Sequence, residues 1–351
     1  MAIFPGSAIP SAAADYYEYK IPYSCRFDKV SAPSYLSRTP SASQYKIGTY
    51  SFWVKRSQIG AINAFKMGGR DGGGNDQAQI TFWSDDTFYV YSYRSSTYEM
   101  DLRTVAKYRD PNAWYHIVVA WDTTQGAASD RCKIYINNEQ PALTAYGGGA
   151  ALYPDADDLM MFENPNASSS GISTMGCYMG ASAQTDHSLS GYLAECHFID
   201  GTQLTPSTFG EVGDYGDWIP KEVTGVTYGT NGYYLDFADA ADLGDDESGE
   251  GNDWTENNIT ATNDQMLDSP TNNFATLSVI EGINGELTFS EGNLQIYRSS
   301  VGAPFPGGQS NMSTGTSGKW YWEVYLVSTS NNYERIGMVT EDHPASTYLT
   351  D

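Results

Sequence analysis

The sequence predicts an all-β protein, and three observations carry that prediction. Short runs of β-branched and aromatic residues recur between clusters of Gly, Asn, Asp, Ser and Pro. Helical periodicity is nearly absent along the chain. One segment, 114–121 (Trp-Tyr-His-Ile-Val-Val-Ala-Trp), is apolar on both of its alternating sets, which requires a layer on each face.

The clearest strands, in order, are 49–55, 79–83, 87–93, 114–121, 133–136, 191–199 and 320–327. Within 79–93, Phe82-Trp83 and Phe88-Tyr89 flank Ser84-Asp85-Asp86, a hairpin turn. Strand 114–121 ends at Asp122-Thr123-Thr124, and 133–136 runs into the turn Asn137-Asn138-Glu139 with Ile134 and Ile136 facing inward. Two antiparallel sheets packed face to face satisfy these patterns.

Composition narrows the function classes. The 351 residues carry 19 Lys+Arg against 43 Asp+Glu, a net charge of −24, and the cations are scattered. A phosphate-backbone binder needs a basic face, so nucleic acid is not an expected partner. Only 18% of residues are charged, below the roughly 25% of ordinary domains, while Gly, Ser, Thr, Asn and Tyr are abundant, as on an extracellular or virion surface. No stretch approaches 18 apolar residues, so membrane insertion is not expected. The first 14 residues lack a basic start and are broken by Pro5 and Pro10, unlike a signal peptide.

Cys25, Cys132, Cys177 and Cys196 form no Cys-x-x-Cys pair and have no histidine at zinc-ligand spacing. Cys25 alternates with Phe27, and Cys196 lies between Ala194 and Phe198 in an every-second-residue apolar row, the pattern of buried strand thiols. A Cys177–Cys196 disulfide is the alternative.

Catalytic constellations are not apparent. A retaining glycosidase needs two carboxyls about 5 to 5.5 Å apart, and no Glu-x-Asp-x-Glu row exists to supply them on one strand face. Glu195 and Asp200 differ by an odd number and would face opposite ways in a regular strand. There is no Gly-x-Ser-x-Gly elbow, and His116, alternating with Trp114 and Val118, reads as a satisfied core histidine. The expectation is a non-enzyme.

Tyr89, Tyr91 and Tyr93 fall on one face of one strand beside Trp83, and flat aromatic faces both stack on sugar rings and anchor protein interfaces. These four residues are the candidate ligand or interface site; the plainer reading is a sheet surface covered by a loop or a neighbouring subunit. Asp71, Asn75 and Asp76, and Asp155, Asp157 and Asp158, are candidate oxygen donors for calcium, although none matches EF-hand spacing and charge runs in loops are usually just solvated. No other cofactor is expected.

Several motifs occur in a family order. Ser24-Cys25-Arg26-Phe27-Asp28, Tyr35 to Pro40, Tyr50-Ser51-Phe52-Trp53-Val54-Lys55-Arg56, Trp114-Tyr115-His116-Ile117-Val118-Val119, Ile134 to Glu139, Gly191 to Cys196 and Leu204 to Gly210 together resemble a laminin G-like (concanavalin A-like) jelly roll over residues 23–212. The resemblance implies an antiparallel two-sheet jelly-roll sandwich and, in some members, calcium in the rim loops. Tyr228 to Phe237 with Leu243 to Trp254 looks like the linking region after such jelly rolls in virion proteins of tailed bacteriophages, which makes 213–272 a Gly/Asp-rich connector. Leu287 to Leu294, Ser317 to Val324 and Arg335 to Val339 are similar to the first half of a SPRY domain, so 273–351 is expected to be a second, incomplete β-sandwich, continued beyond residue 351 or, as the alternative, completed by another chain. Residues 1–22, with Pro5, Pro10 and Pro22, are expected to be an extended arm.

Together the resemblances imply a phage virion protein, foremost a tail-fibre or receptor-binding subunit. Its expected partners are other virion proteins through the N-terminal arm, a host-surface polysaccharide, and two further copies in a homotrimer, though no heptads encode one. The alternatives are a capsid decoration or head-fibre protein, a secreted carbohydrate-binding lectin and, last, a polysaccharide hydrolase.

Overall fold

Strand-forming runs of this kind bury their apolar side chains only by pairing into sheets and stacking the sheets. The protein, in a computed structural model, does so over residues 16–29, 32–41, 45–70, 76–164, 171–179, 183–184, 187–279, 287–298, 308–313, 321–327 and 336–338, which are the residues described. The first half of the chain forms β1 (Ser24–Phe27), β2 (Tyr35–Arg38), β3 (Ile47–Arg56), β4 (Asn63–Arg70), β5 (Gln77–Phe82), β6 (Thr87–Arg94), β7 (Thr97–Lys107), β8 (Trp114–Asp122), β9 (Cys132–Ile136) and β10 (Leu143–Thr144). There follow β11 (Ser173–Met175), β12 (Tyr178–Met179), β13 (Ala183–Gln184), β14 (Gly191–Asp200), β15 (Gly210–Val212), β16 (Trp218–Pro220), β17 (Tyr233–Leu235), β18 (Thr255–Asn257), β19 (Gln265–Met266), β20 (Leu287–Ser290) and β21 (Gln295–Arg298).

All pairings are antiparallel. A seven-stranded sheet runs β19-β1-β14-β3-β8-β9, with β17 also on β14, and an eight-stranded sheet runs β10-β7-β6-β5-β4-β11-β2-β18. Between them lies the main core, where Phe52, Val54, Ile117, Val119 and Leu193 of the first sheet share one buried cluster with Ile80, Phe82, Val90, Met100 and Leu102 of the second. The expected all-β jelly-roll sandwich is what forms. Strand β8 is buried on both faces: Ile117, Val119 and Trp121 enter the core, while Val118 and Ala120 lie under Phe209. No helix among the described residues is long and apolar enough to cross a membrane.

The segment expected to be a connector behaves otherwise. Residues 213–272 add β17 and β19 to one sheet and β18 to the other, and they place Tyr233, Leu235, Phe237, Leu243, Trp254 and Ile259 in the main core. Polar anchors follow the same path: Arg26 pairs with Asp264 at 3.0 Å, Lys55 with Asp268 at 2.7 Å, and Arg38 donates to the Asn231 carbonyl at 3.1 Å, all buried. Glycine and aspartate content suggested a linker, but the spaced aromatic residues decide the outcome, because burying them repays the ordering of the loops between.

The described part of the N-terminal arm is also seated. Ile21 is buried against Trp53, Trp114 and Tyr192, and its backbone exchanges hydrogen bonds with Thr271 and Ser269. Residues 1–15 lie outside the described residues. Of the expected second sandwich, the described residues contain the β20–β21 hairpin, whose turn is held by Glu291 N–H on Asp28 (2.9 Å) and by Asn293 on the Ser57 carbonyl (2.6 Å). Of the expected strand 320–327, the described residues 321–327 do not pair into a sheet, and Tyr321, Trp322, Val324 and Leu326 are exposed; residue 320 lies outside the described residues.

One residue overturns two expectations of facing. The β14–β3 register shifts between Ala194 and His197, and Glu195 takes φ 50° in the bulge. Leu193 and Cys196 therefore both enter the core, whereas Ala194 packs on the opposite face with Trp53. The Ala194–Cys196–Phe198 row is broken, and the odd-number argument for Glu195 and Asp200 loses its basis. All four cysteines are free and buried, so the core-thiol reading holds and the disulfide does not form. Burial alone pushes the Cys132 thiol up to about 12.

Candidate functional site

Side-chain alternation along β6 sends Phe88 and Val90 into the core and Tyr89, Tyr91 and Tyr93 to the outer face of the eight-stranded sheet. The register sets their neighbours: Thr81, Tyr89 and Arg103 lie abreast, as do Gln79, Tyr91 and Asp101, and Tyr93 lies opposite Tyr98. The turn expected at 84–86 forms, closed by Asp86 N–H on the Trp83 carbonyl (2.9 Å) and Trp83 N–H on the Thr87 carbonyl (2.8 Å), and it stands Trp83 beside the row.

The rings form one cluster. Tyr89 and Tyr91 stack at 4.7 Å and 26°, and Trp83 meets both edge-on at 5.5 and 6.4 Å. Tyr146, reaching over from the turn after β10, lies parallel to Tyr89 at 6.1 Å and edge-on to Trp83 at 5.7 Å. Asp101 holds that loop by accepting the Tyr146 N–H at 2.9 Å, and the Arg103 guanidinium sits 5.3 Å from the Tyr146 ring centre. Tyr98 meets Tyr93 at 5.0 Å, and His187 meets Trp83 at 6.1 Å while sharing a 3.4 Å hydrogen bond with Gln79.

The four predicted aromatic residues are thus brought together, but in two roles. Tyr89 and Tyr91 are 1% and 4% exposed and make a floor under the Tyr146 loop. Trp83 and Tyr93 stay half-buried, and together with half-buried Tyr98 and with Tyr146, 48% exposed, they form the accessible rings. Burial, with Tyr98 and Asp101 beside it, drives the Tyr89 phenol far above its ordinary value, so it stays protonated. Chemically, the surface offers aromatic faces and edges flanked by the Arg103 guanidinium and the His187 imidazole, while the Gln79 amide is fully buried.

Sequence reasoning missed Tyr98, Arg103, Tyr146 and His187. The Arg103 alternation with Met100 and Leu102 was a usable signal for a strand facing out, whereas nothing local marks Tyr146 or His187 as neighbours of Trp83.

The calcium candidates among the described residues do not converge. Asp157 is paired with Lys46 at 2.8 Å, Asp158 accepts the Leu159 N–H, and Asp76 accepts the Ser95 N–H, while Asp71 and Asn75 lie outside the described residues. Among the described residues no three His, Cys, Asp or Glu side chains gather as a metal would require. The carboxylates of Asp76, Asp157 and Asp158 instead accept a backbone N–H or join an ion pair.

Other polar clusters are covered. His116 lies between Ser51 (Nε2, 2.8 Å) and the Trp218 indole N–H (to Nδ1, 2.9 Å), stacked on Trp53, so it is the satisfied core histidine expected. Burial, with His197 nearby, pushes it down to about 3. Glu195, turned outward by its bulge, accepts from the phenols of Tyr19 and Tyr234 and is 4% exposed. A cleft of about 450 Å³ opens elsewhere, between 109–112 and Ser278, Ser310 and Asn311.

The sequence pattern of the Concanavalin A-like lectin/glucanases superfamily matches residues 28–207, just over half of the chain. The chain belongs to this superfamily. Among solved structures, this superfamily member is similar to a putative carbohydrate binding protein from Bacteroides ovatus (17% identity, 72% of this chain and 62% of that chain covered, TM-score 0.46). It is similar also to the SAP-like pentraxin of Limulus polyphemus (15%, 53% and 80%, TM-score 0.35) and to domain 4 of the arabinanase AbnA from Geobacillus stearothermophilus, solved with arabinotriose (18%, 54% and 76%, TM-score 0.37). No curated protein matches the sequence.

Proposed function

We propose that this superfamily member is a non-catalytic, glycan-binding adhesion protein whose ligand face is the outer surface of the eight-stranded sheet around Trp83, Tyr93, Tyr98 and Tyr146. The observation that carries the reading is the ring cluster itself. Its floor is locked by Tyr89 and Tyr91, its upper rings remain accessible, and half-buried His187 and Arg103 lie beside them. Pyranose rings are recognised in this way, by stacking on aromatic faces while polar neighbours read the hydroxyls. A net charge of −24 disfavours polyanionic glycans, so the substrate class is a neutral or amino-substituted polysaccharide.

In the same reading the protein is a tailed-phage virion component, a tail-fibre or receptor-binding subunit assembled as a trimer and attached through its N-terminal residues. Support comes from the motif order after residue 212 and from a surface poor in charge and rich in Tyr, Ser, Thr and Asn.

A glycan array followed by calorimetry tests the ligand face. Trp83→Ala and Tyr98→Ala are expected to weaken binding by about tenfold each, the scale of one lost stacking contact. Binding that is absent in the parent protein, or unchanged in both variants, overturns the assignment. Cryo-EM of the intact particle tests location: tail density in multiples of three supports the fibre, and density spread over the capsid lattice replaces it with a decoration protein.

A further inference from the structure

Lys55 is the most enclosed cation of the seven-stranded sheet's outer face, 1% exposed among Trp53, Trp114, Tyr192 and Ile21. Its ammonium makes three hydrogen bonds, to Asp268 Oδ2 at 2.7 Å, to the Asn273 side-chain carbonyl at 2.7 Å and to the Phe274 carbonyl at 2.8 Å. Asp268 and Asn273 are themselves 4% and 7% exposed. The Trp114 indole N–H and the Phe274 N–H fix the other Asp268 oxygen, and Asn273 is oriented by donating its Nδ2–H to the Asn112 carbonyl at 2.7 Å. An amine, a carboxamide and a carboxyl group are therefore held against one another in an aromatic, water-poor pocket.

We propose that Lys55 and Asn273 join in an intramolecular isopeptide bond, with Asp268 as the proton-transfer group. This goes beyond glycan binding and does not depend on it. In the buried ion pair, Asp268 takes a proton from the Lys55 ammonium, leaving a neutral amine. Its lone pair attacks the Asn273 carboxamide carbon, and Asp268 shuttles the second amine proton to the departing nitrogen. The Nζ–Cγ bond forms, the Cγ–Nδ2 bond breaks, and one ammonia leaves; no oxidant or reductant is needed.

Three physical features favour the step. Burial lowers the Lys55 pKa and raises that of Asp268, each against their mutual attraction, so the neutral pair that the attack requires is accessible. A desolvated lysine amine is a competent nucleophile, and the folded chain supplies its effective concentration. The residues bridged are 218 apart, so the product would tie β3 to the segment that covers both sheet edges.

Mass spectrometry of the full chain is the test. The intact protein is expected to be lighter by one ammonia, about 17 Da, as acyl transfer from a carboxamide to a lysine amine requires. Trypsin should then yield one branched product joining 47–56 to 222–298, with the site at Lys55 left uncut. Asp268→Ala and Asn273→Ala should both restore the full mass. A chain at full mass overturns the proposal whatever the variants do. So does a mass loss without the branched peptide, which would report succinimide formation at a step such as Asn231-Gly232.

Discussion

Replacing Trp254 by alanine tests whether the segment after the family match is part of the sandwich. Trp254 is 2% exposed, packs edge-on to Tyr233 at 5.1 Å and 77°, and lies 5.5 Å from the Arg38 guanidinium. Its backbone N–H reaches the Gly244 carbonyl at 2.8 Å, which the substitution leaves in place, so the loss is confined to the side chain. Truncating a fully buried tryptophan costs about 3–5 kcal/mol, and losing the cation–π contact at a buried Arg38 adds about 1–2. Against a total stability of about 5–15 kcal/mol that is a large fraction. With a urea slope of about 3 kcal/mol/M, the unfolding midpoint should fall by more than about 1 M. Far-UV circular dichroism is the right probe, since fluorescence is altered by the substitution itself. Tyr215→Ala, at a side chain 76% exposed, is the control and should move the midpoint by less than about 0.5 kcal/mol in equivalent stability. If Trp254→Ala shifts the midpoint no more than that control, Trp254 is not in the core and 213–272 is a connector after all.

Two further outcomes follow from the same packing. His116 is held neutral with its folded pKa at about 3, below its unfolded value, so the unfolded chain binds the proton first; the His116 contribution to stability is fully present above about pH 6.5 and is lost by up to about 1.4 kcal/mol per unit down to about 3, and urea titrations of His116→Phe should show a shallower decline over that range. A chain ending at residue 212 loses Tyr233, Leu235, Phe237, Leu243, Trp254 and Ile259, each worth about 1.5–3 kcal/mol of burial, and should show no cooperative thermal transition, whereas a chain ending at 279 should keep one.

Length alone did not decide legibility, since β7 at eleven residues and β4 at eight went unread. Strands β3, β5, β6, β8, β9 and β14 could be read because five or more residues with a clear alternation leave few competing structures. Strands β17, β18 and β19 have three, three and two residues, too few to establish a period, and only their partners make them strands. The facing of Tyr89, Tyr91 and Tyr93 was legible from parity, and a covering loop was the plainer reading of the row; which loop covers Tyr89 was not legible, because Tyr146 arrives from more than fifty positions away. Parity failed at Glu195, where one inserted residue reverses every face that follows. The Lys55–Asp268–Asn273 cluster was equally invisible: an isolated lysine in an aromatic strand carries no local sign of the two residues that enclose it.

The double-sided apolar character of 114–121 has a consequence for where a ligand can bind. Both faces of β8 are buried because the chain after residue 200 returns across the outer side of the seven-stranded sheet. Phe209 covers Val118 and Ala120, Trp218 caps His116, and Ile21 closes over Trp53 and Trp114. That sheet therefore has no free outer surface at its centre, and Glu195 and His197, which would otherwise face solvent there, are sealed beneath Tyr19, Tyr228 and Tyr234. On the eight-stranded sheet, the described cover of the Tyr89–Tyr91 face includes the loop bearing Tyr146, pinned by Asp101, and His187 beside Trp83, and Trp83, Tyr93 and Tyr98 stay within reach of solvent. Covering one sheet with the chain's own later residues and leaving aromatic side chains on the other assigns the two faces different work. The first carries the Lys55 cluster; the second is the face to which the proposed function assigns the glycan.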